Sequence, residues 1–313
     1  MDGEQQFKEY FHAFRGPIYY KPLLAKAREF GLDRQEALAA IADFYAHRHK
    51  EEVSLRCDPL GPFVEVQGLT IHTHMPKVDC ALSMDLLTYK LPEQYAIDTF
   101  LDHAGAGDSI VDVGANIGYH SLRYCRHVGN QGRVFSFEPD PWNFHLLQKN
   151  LVLNGCQQAA SFCCALGNDK AMAKRLFVNP GNHGDIRSFD PDLKWATIET
   201  LLLRLNGFFA PGTAIHGMKI DTQGSEYDVL LGGRKLIESQ RRLVVQVEFA
   251  PHLLQGGELP PQEFEGLLLS LGFKIYEIDA YDERLVDITG ELAARTKDKP
   301  EGGQNAELLC VKG

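Results

Sequence analysis

The residues in this 313-residue chain that could do chemistry begin with Asp112. It stands two residues before a glycine turn, Gly114-Ala115-Asn116-Ile117-Gly118, which ends an apolar run and opens a helical one. Gly114 permits a tight turn with bare backbone, against which a ligand can lie, and Gly118 lets the helix approach its strand closely. The next apolar run, Val134–Phe137, ends in Glu138, 20 residues beyond Gly118. A carboxylate there can accept two hydrogen bonds from a ribose diol. The spacing is G-x-x-x-G, whereas the turn that cradles a pyrophosphate reads G-x-G-x-x-G. An acid just upstream of the turn suits a ligand carrying an ammonium group better than one carrying a pyrophosphate.

Three further positions are candidates. Asp221 follows the strand His216–Ile220. It either caps the helix that starts near Ser225 or stands at the reactive end of a ligand bound along the sheet edge. Glu248 ends the strand Val245–Glu248, where it faces either a cleft, lining a substrate pocket, or a partner cation. His183 lies in the loop Asn179–Asp185 and is either a solvated loop histidine or a general base. Glu226 is a favourable first-turn charge or a site residue. The pairs His47/His49 and His72/His74 have a spacing that places both members on one strand face, as metal ligands need. With no third ligand in view they read as surface residues, and no metal is expected. Trp142 and Trp195 read as packing residues.

The elements that must position these groups alternate. Strands are expected at Asp108–Val113, Arg133–Phe137, Ala160–Cys164, Arg175–Val178, His216–Ile220, Leu243–Glu248, Lys274–Ile278 and Glu307–Val311. Helices are expected at Ile117–Val128, from Asp140 to about Asn154 with Pro141 at its first position, at Glu199–Leu205, from about Ser225, and at Pro261–Leu271. The polar stretch Asp279–Asn305 reads as a surface loop. Such alternation implies a mainly parallel sheet covered by helices on both faces, a doubly wound α/β fold. Residues 1–90 read as a mostly helical accessory segment. Its first 50 residues read as helical, with Asp33 and Glu36 resembling a capping box and a break at Gly16-Pro17. A short hairpin at Phe63–Val66 and Thr70–His74 follows. Residues 91–313 form the main domain. The accessory segment could pair two copies or cover the cleft.

Bulk properties narrow the partners. The formal net charge of -10, with no basic stripe, argues against nucleic acid. No apolar run has the length of a membrane span, and the N-terminus lacks the pattern of a signal peptide. The 7 cysteines are scattered and include no C-x-x-C, which fits core thiols in a reducing cytoplasm.

The segments VDVGANIGYHS, FSFEPDPWNFHLLQKNLVLNG and MKIDTQGSEYDVLLGG, in that order, resemble the FkbM family of class I S-adenosylmethionine-dependent methyltransferases. The resemblance runs from Leu91 to Val311. It implies a Rossmann-like, seven-stranded sheet with an antiparallel last strand, matching Glu307–Val311. It implies that Gly114, Asn116 and Gly118 wrap the cofactor S-adenosylmethionine, that Glu138 holds its ribose and Asp112 its methionine end, and that Asp221 borders the reacting methyl. It further implies methyl transfer to a hydroxyl of a sugar or secondary metabolite, so that the partner is a small-molecule or carbohydrate acceptor. The family motif has Glu where this chain has Gln223, which counts against a metal or a carboxylate base at that position. Two other functions compete, a nicotinamide-dependent oxidoreductase and a cofactor-binding domain without turnover. The missing third glycine counts against the first, and Asp221 against the second.

Overall fold

The computed structural model describes residues 29, 31–32, 56–59, 61–75, 79, 81–89, 93–189, 195–280, 282–297 and 305–313. The expected helices of the first 50 residues, with their cap and break, and the His47/His49 pair lie outside this set.

In chain order, an antiparallel meander of β1 (Arg56–Asp58), β2 (Gly61–Val66) and β3 (Leu69–His72) comes first. Gln67 and Gly68, at φ 49° and 74°, turn β2 into β3. Two positive φ angles in a two-residue loop give the twist that hairpin strands require. Then come α1 (Leu82–Tyr89), α2 (Gln94–Leu101), β4 (Ser109–Val113), α3 (Tyr119–Val128), β5 (Arg133–Phe137), α4 (Pro141–Leu153) and β6 (Ala159–Phe162). An excursion follows: β7 (Ala165–Leu166), β8 (Ala173–Val178), β9 (Ile186–Arg187), β10 (Ala196–Leu203) and the short α5 (Leu205–Phe208). The chain returns with β11 (Gly217–Ile220), α6 (Glu226–Gly232), α7 (Arg234–Ser239), β12 (Leu243–Phe249) and α8 (Pro261–Ser270). It closes with β13 (Lys274–Asp279), β14 (Arg284–Asp287), α9 (Leu292–Lys297) and β15 (Ala306–Lys312).

The main sheet has the order β14-β13-β15-β12-β11-β4-β5-β6. Neighbours from β12 through β6 pair in parallel, and β15 runs antiparallel between β12 and β13. From β4 the chain winds outward through β5 and β6. It then crosses back to β11 and winds the other way, so strand order reverses between β4 and β11. Open α/β sheets bind ligands beyond the carboxyl ends of their strands at such a reversal. Alternation along β4 sends Val111 and Val113 into one core, with Met218, Ile220, Val245 and Val247. Ile110 enters the opposite core, which α2, α3 and α4 cover.

Helix α4 starts as its sequence dictates. The Asp140 side chain accepts the Trp142 N–H at 2.7 Å, and Pro141 holds the first helical position. Two side-chain amides of α4 complete the edge of β3. Asn150 Oδ1 accepts the His72 N–H at 2.7 Å, and its Nδ2 donates to the carbonyls of His72 and Ile117 at 3.0 and 2.8 Å. One turn later Asn154 does the same for Thr70 at 2.9 and 2.8 Å. These bonds satisfy backbone groups that an edge strand would leave open. Leu69, Ile71 and Leu86 share the core of α2–α4.

Four expectations are corrected. The segment Glu199–Leu205 is mostly strand, not helix: β10 pairs antiparallel with β8, and its Thr200 and Leu202 are buried while Glu199 and Leu201 are exposed. This period of two, with the β-branched Thr197, Ile198 and Thr200, favours a strand. The stretch Asp279–Asn305 is not a plain loop, because β14 adds an eighth strand and α9 buries Leu292 and Ala293. Their N–H groups donate to the Glu265 carboxyl at 2.8 and 3.2 Å. His72 and His74 are buried, at 1% and 6% exposure, rather than on the surface. Trp142 is 58% exposed rather than packed inside. No helix among the described residues is long and apolar enough to cross a membrane.

Candidate active site

The glycine turn is held against β5. The N–H groups of Gly114 and Ala115 both donate to the Phe137 carbonyl, at 2.9 and 3.0 Å. Gly114, Asn116 and Gly118 all have positive φ, at 80°, 50° and 91°. A Cβ on Gly114 would lie 1.8 Å from the Asp221 carbonyl oxygen, so glycine is what lets β4 and β11 close side by side at the reversal. A Cβ on Gly118 would lie 2.7 Å from Leu147 Cδ1. That glycine therefore admits α4 rather than bringing α3 onto its own strand, as the sequence alone suggested.

Glu138 leaves β5 and turns inward, 3% exposed. Its Oε2 accepts the Asn116 N–H at 2.8 Å, and its Oε1 accepts the Asp140 N–H at 2.9 Å. Burial pushes its carboxyl up to about 8, against the opposing pull of these two N–H donors. Asp112 is fully buried, and its Oδ2 accepts the Ser121 hydroxyl at 2.6 Å. Its Oδ1 has no partner, nor does the buried Oδ1 of Asn116. Buried acceptors are nearly always satisfied. An open carboxylate oxygen beside the turn fits the ammonium group of S-adenosylmethionine, and Glu138 retains lone pairs for its ribose. The residues present therefore fit the cofactor.

The carboxyl edge of β11 and β12 holds a second group. Lys219, in mid-strand and 3% exposed, reaches Asp221 Oδ2 at 2.9 Å. Burial alone would lower the ammonium, but Asp221, Asp112 and Glu93 outweigh it and hold the lysine above its usual value. Burial likewise pushes Asp221 up, yet Lys219 and Gln223 win and its carboxyl ends below the ordinary range. Gln223, at φ 52°, donates to Asp221 Oδ1 and to Glu248 Oε2, both at 2.8 Å. Glu248 is raised well above a free carboxyl, first by burial and then by Asp221. Glu226 accepts the N–H groups of Thr222 and Gly224 at 2.8 and 3.0 Å and fixes the loop that presents Gln223. Asp221 thus uses its oxygens on Lys219 and Gln223 and does not cap α6, whose N-cap is Ser225.

Asp221 and Glu248 are therefore brought together through Gln223, and Asp112 stands opposite Lys219 in the register of β4 and β11. His183 goes elsewhere. Its ring packs 5.1 Å from His74 and 5.3 Å from Trp142, with Nδ1 3.4 Å from Asp140 Oδ2. The Asn143 amide donates to the His183 carbonyl at 2.8 Å, which ties this loop to the Glu138 side. Among the described residues no group of His, Cys, Asp and Glu has the arrangement of a metal site.

Sequence reasoning missed Lys219, Glu93 and His120. Lys219 had a signal, since a lysine inside an apolar strand must find a partner. His120 lies in the first turn of α3, 8% exposed, with Nε2 3.1 Å from Glu93 Oε2. That pair spans 27 residues and has no local signature.

The FkbM methyltransferase domain model matches residues 112–275, more than half of the chain. Methyltransferase 1 of Beauveria bassiana is 29% identical over 143 residues, covering 39% of this chain and 57% of that protein. The chain thus spans a little over half the length of that relative. A SAM-dependent methyltransferase structure from Aquifex aeolicus is 8% identical, with a TM-score of 0.39, over 70% of this chain and 87% of that one. TYW2 of M. jannaschii, in complex with AdoMet, is 11% identical, with a TM-score of 0.41, over 80% and 83%. On the strength of the domain match, the chain belongs to the FkbM family of S-adenosylmethionine-dependent methyltransferases.

Proposed function

We propose that this chain transfers a methyl group to a hydroxyl of a sugar or of a secondary metabolite. The supporting observation is the fixed array of Asp221, Gln223 and Glu248 beside the glycine turn, with its spacings of 2.8 Å. Vicinal hydroxyls are bound by just such alternating donors and acceptors.

S-adenosylmethionine supplies an electrophilic methyl when bound. The chain's own residues hold both partners in line, which is where most of the acceleration in such a transfer lies. Glu138 accepts from the ribose, Gly114, Asn116 and Gly118 shape the backbone around the cofactor, and Asp112 Oδ1 takes the ammonium. The carboxylates then gather at the end where the positive charge is. Asp221, fixed by Lys219 and Gln223, is a hydrogen-bond acceptor that cannot swing, and its low proton affinity suits orientation better than proton abstraction. Glu248 binds a proton more readily than a free carboxyl and can donate to a neighbouring hydroxyl of the acceptor. His183 borders the nucleoside end.

The test is transfer of tritiated methyl from the cofactor to a panel of simple glycosides, cyclic polyols and phenolic metabolites. Label should appear as an acid-stable methyl ether. Label confined to amines or carboxylates would overturn the reading. So would a larger rise in melting temperature with NAD than with S-adenosylhomocysteine, since a ligand specific to the fold stabilises it by mass action.

A further inference from the structure

We infer that the acceptor is an amino alcohol, of the kind an amino sugar presents, whose primary ammonium is held between Glu248 and Glu307 while a neighbouring hydroxyl takes the methyl. The inference deepens the O-methyl reading above and rests on it.

Strand register brings the two carboxyls together. β15 runs antiparallel beside β12, and Glu307 stands directly opposite Glu248. Residues so placed have their Cβ atoms about 5 Å apart, and like charges in that position destabilise a sheet. Val245 and Val247 of β12, with Leu308 and Cys310 of β15, fill the core on one face. Alternation therefore sends Gln246, Glu248 and Glu307 to the other face. Lys219 shares that face, since it pairs in register with Gln246. Glu248, Glu307 and Asp221 are all half-buried, so a ligand from solvent can reach them.

The hydrogen bonds of this face engage its donors and leave acceptors over. Gln223 Nε2 donates to Asp221 Oδ1 and to Glu248 Oε2, both at 2.8 Å. Gln246 Nε2 donates to Glu307 Oε1 at 2.8 Å. Lys219 turns to Asp221 Oδ2 at 2.9 Å. Gln246 is fully buried, at 0% exposure, yet its Oε1 has no partner. Among the described residues no donor reaches Glu248 Oε1 or Glu307 Oε2 either. Buried acceptors are nearly always satisfied, so the missing partner is a donor. The cofactor's sulfonium carries no N–H or O–H and answers none of the three. An ammonium brings three N–H donors and no acceptor. Its charge also relieves the facing glutamates, which burial pushes up, Glu307 to about 8. A neutral diol brings donors too, but it leaves the two carboxyls opposed.

The placement also selects the atom that is methylated. β15 lies beyond β12, and β12 beyond β11, where Asp221 follows. Neighbouring strands are about 4.8 Å apart. With the nitrogen at Glu248 and Glu307, a hydroxyl one or two carbons away on the β11 side falls toward Asp221. The ammonium has no lone pair and cannot take the methyl. An oxygen lone pair forms the new O–CH3 bond, the C–S pair stays with sulfur as a neutral thioether, and the hydroxyl proton goes to water.

Calorimetry on the full chain loaded with S-adenosylhomocysteine tests this with two matched pairs: trans-2-aminocyclohexanol against trans-1,2-cyclohexanediol, and methyl glucosaminide against methyl glucoside. The amine of at least one pair should bind about tenfold tighter or more, the part-exposed share of a charge-assisted contact. Glu307→Gln keeps an acceptor for the Gln246 amide, and in it the preference should fall to about threefold or less. Failure of both amines to bind, or a parent that binds amine and neutral partner alike, overturns the inference whether or not the variant folds. A preference that survives undiminished in Glu307→Gln overturns it too. Tritiated methyl transfer to the same compounds separates this from the reading beneath it. Label on oxygen without a preference for amines sinks the ammonium site alone, whereas label on nitrogen with the preference intact sinks the O-methyl reading.

Discussion

Replacing Gln223 by Glu, the residue usual in the family, tests the electrostatics of the cluster directly. The amide nitrogen lies 2.8 Å from Asp221 Oδ1 and 2.8 Å from Glu248 Oε2. In Gln223→Glu that donor becomes an oxygen, and three carboxyls meet at hydrogen-bond distance. Two carboxyls sharing a site can be split by about 3 pH units. The Asp221 side chain is 34% exposed and Lys219 stands 2.9 Å away, so about half of that split survives screening, or ~2 kcal/mol. The folded-state pKa of the new carboxyl is therefore raised above its unfolded value. Below the unfolded value it is protonated in both states and costs only one lost hydrogen bond, about 1–1.5 kcal/mol. Above the folded value it is ionised among like charges, and the further ~2 kcal/mol is lost. Urea unfolding of parent and variant at pH 5 and pH 8 should give a penalty larger by ~1–2 kcal/mol at pH 8. Manganese should restore part of it in the variant and leave the parent unchanged, because three converging carboxyls are oxygen ligands of the kind hard cations take. An equal penalty at both pH values, or a larger one at pH 5, would refute the reasoning.

Other substitutions probe the frame and the cofactor. Gly114→Ala places a methyl 1.8 Å from the Asp221 carbonyl at φ 80° and should cost at least ~3 kcal/mol, enough to abolish a cooperative melt at ordinary temperatures; a loss under ~1 kcal/mol would show that β4 and β11 can part freely. Glu138→Ala should weaken S-adenosylhomocysteine by tenfold or more in calorimetry and also destabilise the free protein by about 1–3 kcal/mol per orphaned N–H, because Asn116 and Asp140 lose their acceptor. Undiminished stability would show that the Asn116 and Asp140 N–H groups find other acceptors. Methyl transfer should survive EDTA; loss of activity restored by magnesium or manganese would show that the acceptor's proton is removed with metal assistance.

The strands that read most clearly were those whose physics is local. β4, β5, β11 and β12 are short, mostly apolar stretches between turn residues, and Glu138 stands where one of them ends. The start of α4 was equally legible, since Asp140 and Pro141 act on their own backbone. What stayed hidden is decided by partners far along the chain. β10 carries Glu199 and a leucine run that suit a helix, and only pairing with β8 makes it a strand. β14 and α9 rest on a few apolar residues in a polar stretch, too sparse for any period to show, with Glu265 supplying the acceptor for two N–H groups. Among the site residues, Asp221 and Glu248 were legible as strand-end acids, but that Gln223 joins them follows from its left-handed backbone, which no neighbour in sequence dictates.

The charge balance of the edge links its architecture to its ligand. Burial opposes ionisation of Asp221, but Lys219 and Gln223 overcome it, and the Glu93 carboxyl, 45% exposed, is likewise held below the ordinary range by its His120 neighbour. Glu307 and Glu138 are pushed up to about 8 by burial, and Glu248 and Glu226 are raised for the same first reason. Between the free-carboxyl range and about 8 the folded chain thus holds protons that the unfolded chain has released. Each raised group therefore lowers stability as pH climbs through that window. A cation bound among them changes the sign for affinity. Opposite charge favours the ionised forms, so protons leave as the ligand arrives, and binding tightens with rising pH where the fold weakens. On the site proposed above, a methyl donor bearing both a sulfonium and an ammonium would gain from this twice, once at Asp112 and once at the Asp221 edge. Its product keeps the ammonium but has lost the sulfonium charge, so the carboxylates that draw the donor in hold the product less tightly.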